Sequence, residues 1–272
     1  MNIGIFYFSA TGITEIISNH IASILEREGN SVKKVNIITP ESRQSPVDFL
    51  EFDMCFFGFP VFGGRPPTVA EEWMMTLEGK NKKCSMFFTY GGRDLEWAHQ
   101  VTYYLLTQAK FQVVLSAEFI GKHSFNVAEG FSLAEDRPNQ LDFDTAKEFA
   151  LQSIKRFQEE KYFNINLSEF SYEPKEVKEM SGPWAKFYPS RDKNGCSMCY
   201  LCEEECPVSA FNADSGETNR KLCITCMHCV SICPDKVIHV SEVSQLFQQW
   251  VERIGLTEGI VGKKKSRILF EI

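Results

Sequence analysis

Eight of the chain's ten cysteines fall in two short stretches, CSMCYLCEEECP at 196–207 and CITCMHCVSICP at 223–234. Each reads C-x2-C-x2-C-x3-C-P, and the second begins 27 residues after the first. Thiolates are soft donors that suit iron–sulfur clusters or zinc. Three thiols at every third residue wrap a loop around one compact inorganic core. Zinc sites instead pair C-x2-C units from two separated segments. The x3-C-P step starts a turn that carries the fourth thiol away from the first three. Zinc and unligated buried thiols are the competing readings. Glu203, Glu204 and Glu205 bring negative charge beside Cys206. That charge either disfavours a more negative reduced cluster or forms a solvated, screened face. His228 lies between two thiols, but the motif leaves no vacancy for it and it reads as a bystander. Cys55 and Cys84 fall inside expected strands and read as buried apolar residues.

The segment resembles the bacterial 2[4Fe–4S] ferredoxin domain, with all eight cysteines and both prolines, Pro207 and Pro234, in place. The resemblance implies that Cys196, Cys199, Cys202 and Cys233 hold one [4Fe–4S] cluster. Cys223, Cys226, Cys229 and Cys206 would hold the other, the fourth thiol of each run crossing to the neighbouring cluster.

A second chemical feature opens the chain. SATGIT, residues 9–14, lies where an apolar run meets an amphipathic one. Ser9, Thr11 and Thr14 offer hydroxyls, and Gly12 allows close backbone approach. A helix starting here presents free N–H groups at the positive end of its dipole. Such a loop holds a phosphate without Lys or Arg, of which it has none. The same composition also serves simple helix capping. It lacks the lysine of a Walker loop and the G-x-G-x-x-G of a dinucleotide site. In parallel sheets, ligands lie beyond the carboxyl ends of the strands, at the switch point. The ends of the third and fourth expected strands are GFPVFGGRPP (58–67) and TYGGRD (89–94). Both combine aromatic residues with glycine pairs, which suits a flat ring that needs stacking faces and a close backbone.

At this point the chain resembles flavodoxin, with a loop of the S/T-x-T-G-x-T type. The order of the two parts is similar to the family of flavodoxin–ferredoxin fusion proteins. The resemblance implies FMN, with its phosphate on Ser9, Ala10, Thr11, Gly12, Ile13 and Thr14. The ring would lie between Phe59, Pro60, Phe62, Gly63 and Gly64 on one side and Thr89, Tyr90, Gly91, Gly92 and Arg93 on the other. Phe62 and Tyr90 are the stacking candidates, and Gly63 and Gly64 the peptide facing the flavin N5. Ile13 stands where flavodoxins commonly carry Asn, and Phe59 or Phe62 where many carry Trp. Both phenylalanines read equally as core aromatics. Arg65 and Arg93 follow the glycine pairs and either steady negative charge or face solvent. His123, Ser124, Arg137 and Pro138 are candidate lid residues over the same cleft.

The elements that must position these groups follow from patterning. Apolar runs predict strands at 2–9, 31–38, 53–60, 83–90 and 111–120. Ile13, Ile16, Ile17, Ile21, Ile24 and Leu25 share one face of a helix that ends before Gly29. Further helices are predicted over 67–78, 94–109 and 142–160. Strands alternating with helices predict an α/β flavodoxin-like fold, a doubly wound five-stranded parallel sheet. Residues 121–140 form a long connection, either a lid or a surface insertion. The expected domains are 1–160, a linker at 161–190 that packs through Trp184, Phe187 and Tyr188, and a small α+β two-cluster domain at 191–240. A helix near 242–254 and a tail to 272 follow.

Composition narrows the function classes. The net charge is −7, with −6 in residues 1–160 and −1 in 161–272. Clustered Lys and Arg drive nucleic-acid binding, and the one basic cluster, Lys263, Lys264, Lys265 and Arg267, reads as a solvated tail or a docking patch for an acidic partner. No nucleic-acid partner is expected. The most apolar run, Met54 to Phe62, is broken by Gly58 and Pro60 and is too short to span a bilayer. The opening MNIGIFYFSATG has no signal-peptide pattern, so a cytoplasmic location is expected. Exposed [4Fe–4S] clusters tolerate oxygen poorly, so the family resemblance implies an anaerobic host. No nucleophile elbow or H-E-x-x-H motif is present. The parts together read as a low-potential electron carrier between ferredoxin- or flavoprotein-type partners. The alternatives are an FMN-dependent reductase of a small acceptor such as a quinone or nitro compound, and a scaffold whose clusters only hold the fold.

Overall fold

A computed structural model describes residues 1–127, 131–180, 185, 187–192, 194–240 and 243–271. Five strands, β1 (Asn2–Tyr7), β2 (Ser31–Asn36), β3 (Met54–Pro60), β4 (Lys83–Tyr90) and β5 (Gln112–Ile120), pair in parallel in the order β2-β1-β3-β4-β5. That is the flavodoxin-like doubly wound order, whose switch point lies between β1 and β3. The helices are α1 (Ile13–Arg27), α2 (Pro40–Gln44), α3 (Thr68–Met75), α4 (Ala98–Gln108) and α5 (Gln140–Gln158).

The strands read as continuous apolar runs because both faces of the sheet are covered. Ile3, Ile5 and Tyr7 point to one face, against Ile17, Ile21 and Leu25 of α1 and Phe149 of α5. Phe6 and Phe8 point to the other, with Trp73 of α3 and Leu105 of α4. Losing a ring such as Phe149 from this packing costs about 3–5 kcal/mol. Cys55 and Cys84 sit opposite each other on β3 and β4, fully buried.

Helix α5 begins earlier than periodicity alone predicts, because Asn139 and Asp142 form a capping box that draws Gln140 and Leu141 into the first turn. Helix α4 begins later than predicted, since residues 91–97 continue as a loop. The expected linker runs back along the sheet. The Phe163 N–H donates to the Val113 carbonyl (2.8 Å), and Tyr172 stacks on Tyr104 at 5.3 Å. Trp184, one of its expected anchors, lies outside the described residues.

The smaller part holds two-stranded ribbons and short helices. β6 (Ser190–Arg191) pairs antiparallel with β9 (Ile238–His239), and β7 (Phe211–Asn212) with β8 (Glu217–Thr218). α6 (Leu201–Glu204) and α7 (His228–Ile232) each carry the third cysteine of one run, Cys202 and Cys229. α8 (Val243–Arg253) and α9 (Glu258–Val261) then lead to β10 (Arg267–Leu269), a sixth strand of the large sheet, antiparallel to β5. The basic tail is therefore only partly solvated. Lys264 Nζ donates to the Arg93 carbonyl (2.8 Å), and Arg267 Nε to Glu118 Oε1 (2.6 Å). Physically, β5 would otherwise present an unpaired edge. Among the described residues no helix is long and apolar enough to cross a membrane.

Asp142 ties this closure together. It is fully buried, forms a bidentate ion pair with buried Arg137, and accepts the Ser266 hydroxyl from the tail. Asp142→Ala leaves the guanidinium buried without a counter-charge, which costs about 3–5 kcal/mol. Denaturant unfolding is expected to show that loss. A change below about 1 kcal/mol would show that the tail and α5 are held by other contacts.

Candidate functional site

The two cysteine runs share one backbone conformation. φ is positive two residues after the first cysteine of each, 56° at Met198 and 51° at Thr225, and again at Tyr200 (61°) and Met227 (63°). It is positive once more three residues past each fourth cysteine, at Ser209 and Lys236. Left-handed residues other than glycine cost about 1–3 kcal/mol each and persist where their surroundings require them. Here they turn N–H groups inward, the nest geometry of anion and iron–sulfur sites. Met198 N–H donates to Cys196 Sγ (3.4 Å), Thr225 N–H to Cys223 Sγ (3.4 Å) and Ala210 N–H to Cys206 Sγ (3.2 Å). Such donors favour thiolates. Burial pushes the Cys223 thiol up to about 11 and raises Cys226 and Cys229 further, so iron must displace their protons on binding. Among the described residues no three His, Cys, Asp or Glu groups converge as a single metal ion requires. A cubane does not need them to, because each thiolate binds a different iron.

The runs differ in exposure. Ser197 to Leu201 are all exposed, whereas Cys226, Met227 and His228 are buried. The three glutamates diverge: Glu203 accepts the Ala213 N–H (2.6 Å), Glu204 is exposed, and Glu205 stands 3.9 Å from His228 Nε2.

Two adjoining cavities lie beyond the carboxyl ends of β1, β3 and β4. The smaller, about 50 Å³, is walled by Ser9, Ala10, Thr11, Ile13 and Thr14 together with Pro60 and Thr89. The larger, about 330 Å³, is walled by Gly63, Gly64 and Arg93. Phe62, Tyr90, Gly91, His123 and Ser124 line both. Gly12 has φ 89° and caps α1 with no side-chain hydrogen bond, so the helix keeps bare N–H groups at its start. Ser9 Oγ accepts the Glu15 N–H (3.1 Å), which leaves the hydroxyl proton for a ligand. Thr14 is buried with its hydroxyl 2.7 Å from that of Thr89, and so fastens the loop to β4.

Other expected positions lie elsewhere. Phe59 is fully buried in the core with Phe57, on the inward face of β3, and lines neither cavity. Gly92, also outside both linings, is packed where a Cβ would meet Val261 at 2.6 Å. Arg65 turns away to a bidentate pair with buried Glu71 (3.0 and 2.6 Å) and donates to the Glu173 carbonyl. Burial raises the Glu71 carboxyl, and Arg65 opposes that rise. Arg137 is held by Asp142 rather than facing the cleft. The 121–140 connection is a packed wall in its described part, with Phe131, Leu133 and Ala134 buried.

Sequence reasoning missed the wall contributed from far away. Phe247 and Trp250 of α8, Leu256, Ile224 and Thr225 all line the larger cavity. Phe247 packs against His123 (5.0 Å), Phe125 (5.0 Å) and Phe131 (4.8 Å). The i, i+3, i+4 spacing of Phe247, Trp250 and Val251 was the available signal. Ile224 and Thr225 sit between two cysteines of the second run. The same run is anchored by His228, whose Nδ1 lies 2.8 Å from the Ala10 carbonyl and donates to it. Far from a bystander, His228 joins the cysteine run to the 9–14 loop. Arg43 reaches the Pro207 carbonyl, and Cys226 packs in the same apolar cluster as Phe8.

Burial among these rings, with Arg93 nearby, lowers His123 from 6.5 to about 4. The Phe125 N–H donates to its Nδ1 (3.1 Å), which fixes the neutral tautomer with the proton on Nε2. A folded-state value below the unfolded one makes protonation favour unfolding. This contribution is complete above pH 6.5 and is lost as pH falls toward 4. Thermal unfolding across that window is expected to show a steeper loss for the natural chain than for His123→Gln. Parallel curves would assign the acid sensitivity to another group.

Residues 187–238 match the 4Fe-4S dicluster domain. Over 48 residues the chain is 40% identical to a component of the ion-translocating oxidoreductase complex of Methanosarcina acetivorans, covering 17% of this chain and 18% of that one. The chain thus spans less than a fifth of that relative. Over 78 residues it is 28% identical to the PorD component of pyruvate synthase from Methanocaldococcus jannaschii, covering 27% of this chain and 91% of PorD. A solved flavodoxin from the domain Archaea is 14% identical, with a TM-score of 0.44 over 58% of this chain and 99% of its own. The chain joins a flavodoxin-like fold, evident in its own strand order, to a 4Fe-4S dicluster domain.

Proposed function

We propose that the chain binds FMN in the two adjoining cavities and two [4Fe–4S] clusters on its cysteine runs, and carries electrons between them and redox protein partners. Cys196, Cys199, Cys202 and Cys233 hold one cluster, and Cys223, Cys226, Cys229 and Cys206 the other. The 9–14 loop takes the phosphate, and Phe62, Gly63, Tyr90 and Gly91 bound the ring. When bound, FMN supplies exchange in steps of one or two electrons, whereas a cluster exchanges one. The observation that carries this reading is the shared wall. Ile224 and Thr225, between two cluster cysteines, line the same cavity as the loops after β3 and β4. In this reading the chain's own residues would hold the second cluster near the ring site, and Phe247 and Trp250, which line the same cavity, would shield it. Both centres on one chain need no encounter step. Rapid reduction of the clusters, followed at the flavin absorption band, tests it. Clusters that stay reduced beside an oxidised flavin, despite a favourable potential gap, would rule internal transfer out.

A cleft of about 780 Å³ adjoins the ring site and shares Phe62, Gly63, Ile224 and Thr225 with it. This cleft favours a second reading, reduction of a small acceptor bound there. Saturable turnover with one acceptor, lost in a variant that fills the cleft, would support it. Unspecific reaction with many acceptors would leave the carrier reading alone.

A further inference from the structure

The difference between the two cysteine runs carries a conclusion about partners, and it rests on the cluster assignment proposed above. The second run is turned into the molecule, bonded through His228 to Ala10 and packed on the flavodoxin-like core. The first run is turned outward. Met198, Tyr200 and Leu201 are 39%, 38% and 37% exposed, and Cys199 between them is exposed as well. Three large apolar side chains around an exposed ligand thiol form a contact face, since isolated exposed hydrophobics are ordinary but adjacent ones mark a surface for association.

The charge around this face has one predominant sign. Asp192, Glu204 and Asp214 are exposed. Asp214 accepts the Tyr200 hydroxyl (2.7 Å), and Asp235 accepts the Ser197 N–H and hydroxyl (2.7 Å each). These bonds set the loop's shape and fix carboxylates at its rim. Half-buried Arg191 lies against this face, toward Cys196 Sγ (3.1 Å), Met198 Sδ (3.2 Å) and the Asp214 carbonyl (3.2 Å), and offsets one of the negative charges. Exposed Lys236 follows Asp235 in the chain, and exposed His239 stands 3.8 Å from Asp192.

We infer that the face formed by Met198, Cys199, Tyr200 and Leu201 is the port through which an external electron-carrier protein exchanges electrons, and that this partner bears a basic rim around its own redox centre. Apolar contact fills the centre of the encounter and the carboxylates steer it, which acts mainly on the association rate. In the exchange one electron moves between the partner's centre and the cluster of Cys196, Cys199, Cys202 and Cys233. One centre is oxidised by one electron as the other is reduced, with no bond formed or broken. The other cluster, against the ring site, is then the inner station.

The test uses the full chain with its clusters and flavin. A basic haem carrier is the electron-exchange probe, and its redox-inert zinc-substituted form is the binding probe. Binding and exchange are expected to weaken steeply with ionic strength. Glu204→Lys and Asp192→Lys should each lower affinity and rate roughly threefold to tenfold at low salt, with the difference vanishing at high salt. Leu201→Ala should weaken binding at every salt concentration. Lys221→Glu, a charge reversal beside the second run, should leave both unchanged or improve them slightly. Unaltered affinity in the lysine variants at full iron content would overturn the port. So would an equal loss in Lys221→Glu, or tighter binding of an acidic carrier. If the clusters exchange with the probe as expected while the flavin stays oxidised, internal transfer fails and the port stands.

Discussion

Cys226→Ala is expected to remove the inner cluster alone, so that iron falls from about eight to about four atoms per chain. The flavin should stay bound but lose its internal source of electrons. Cys226 is 7% exposed and packs into the flavodoxin-like core. Alanine there leaves the nest at Thr225 and Met227 with a ligand missing. Nothing in the 9–14 loop depends on that thiol, since His228 reaches Ala10 through its own ring. The natural control is Cys199→Ala, in the exposed run. It should halve the iron equally, yet a small chemical reductant should still deliver electrons to the flavin through the inner cluster. Metal analysis and rapid mixing distinguish the two variants. Equal flavin reduction in both, at equal iron content, would mean that the second run is not the inner station.

The asymmetry behind that pair of variants was not readable from the motif. The two runs are the same pattern of cysteines and proline, and a ligand set is a local property of spacing. Which run faces the sheet depends on contacts between residues far apart, such as His228 with Ala10 and Cys226 with Phe8. The strands were legible because a parallel sheet buried on both faces has no polar side to hide. Phe59 was also legible in principle. It lies two residues from Phe57, and period-2 alternation puts both on the same buried face of the sheet, yet its place beside a glycine-rich loop drew it into the expected site. Arg65 and Arg93 show the opposite limit. Both follow a glycine pair, but Arg65 precedes Pro66 and Pro67, which lead into α3 and bring Glu71 within reach. Arg93 precedes a loop and stays at the cavity wall. The apolar face of α8 left its own spacing as a signal, but which cavity it covers and the closing strand β10 were invisible to local reasoning, because long-range packing leaves no periodic trace near the loops it covers.

Thr11→Glu is expected to separate the fold from the ligand, moving the two in opposite directions. The 9–14 loop contains no Lys or Arg, and Lys122, which also lines the cavity, is paired with Glu135, so a phosphate there would be held chiefly by the bare N–H groups of α1, the helix dipole and hydroxyl donors such as Ser9. The dipole contributes at most about 2 kcal/mol. A carboxylate placed about 4 Å from a phosphate repels it by about 4 kcal/mol per unit charge at the effective dielectric of a protein surface. Even half of that lowers affinity by more than tenfold, and the full value by roughly a thousandfold. The same carboxylate lies just before a helix N-terminus, where negative charge is stabilising by about 0.3–1 kcal/mol. Half-buried Thr11 is not part of the core, so the flavin-free variant should unfold at the same temperature as the natural chain or slightly above it. FMN affinity, read from quenching of its fluorescence on binding, should fall at least tenfold. Riboflavin, which lacks the phosphate, should bind both chains alike. An unchanged FMN affinity would place the phosphate away from this loop, and an equal loss for riboflavin would mean that the substitution had disturbed the ring site instead.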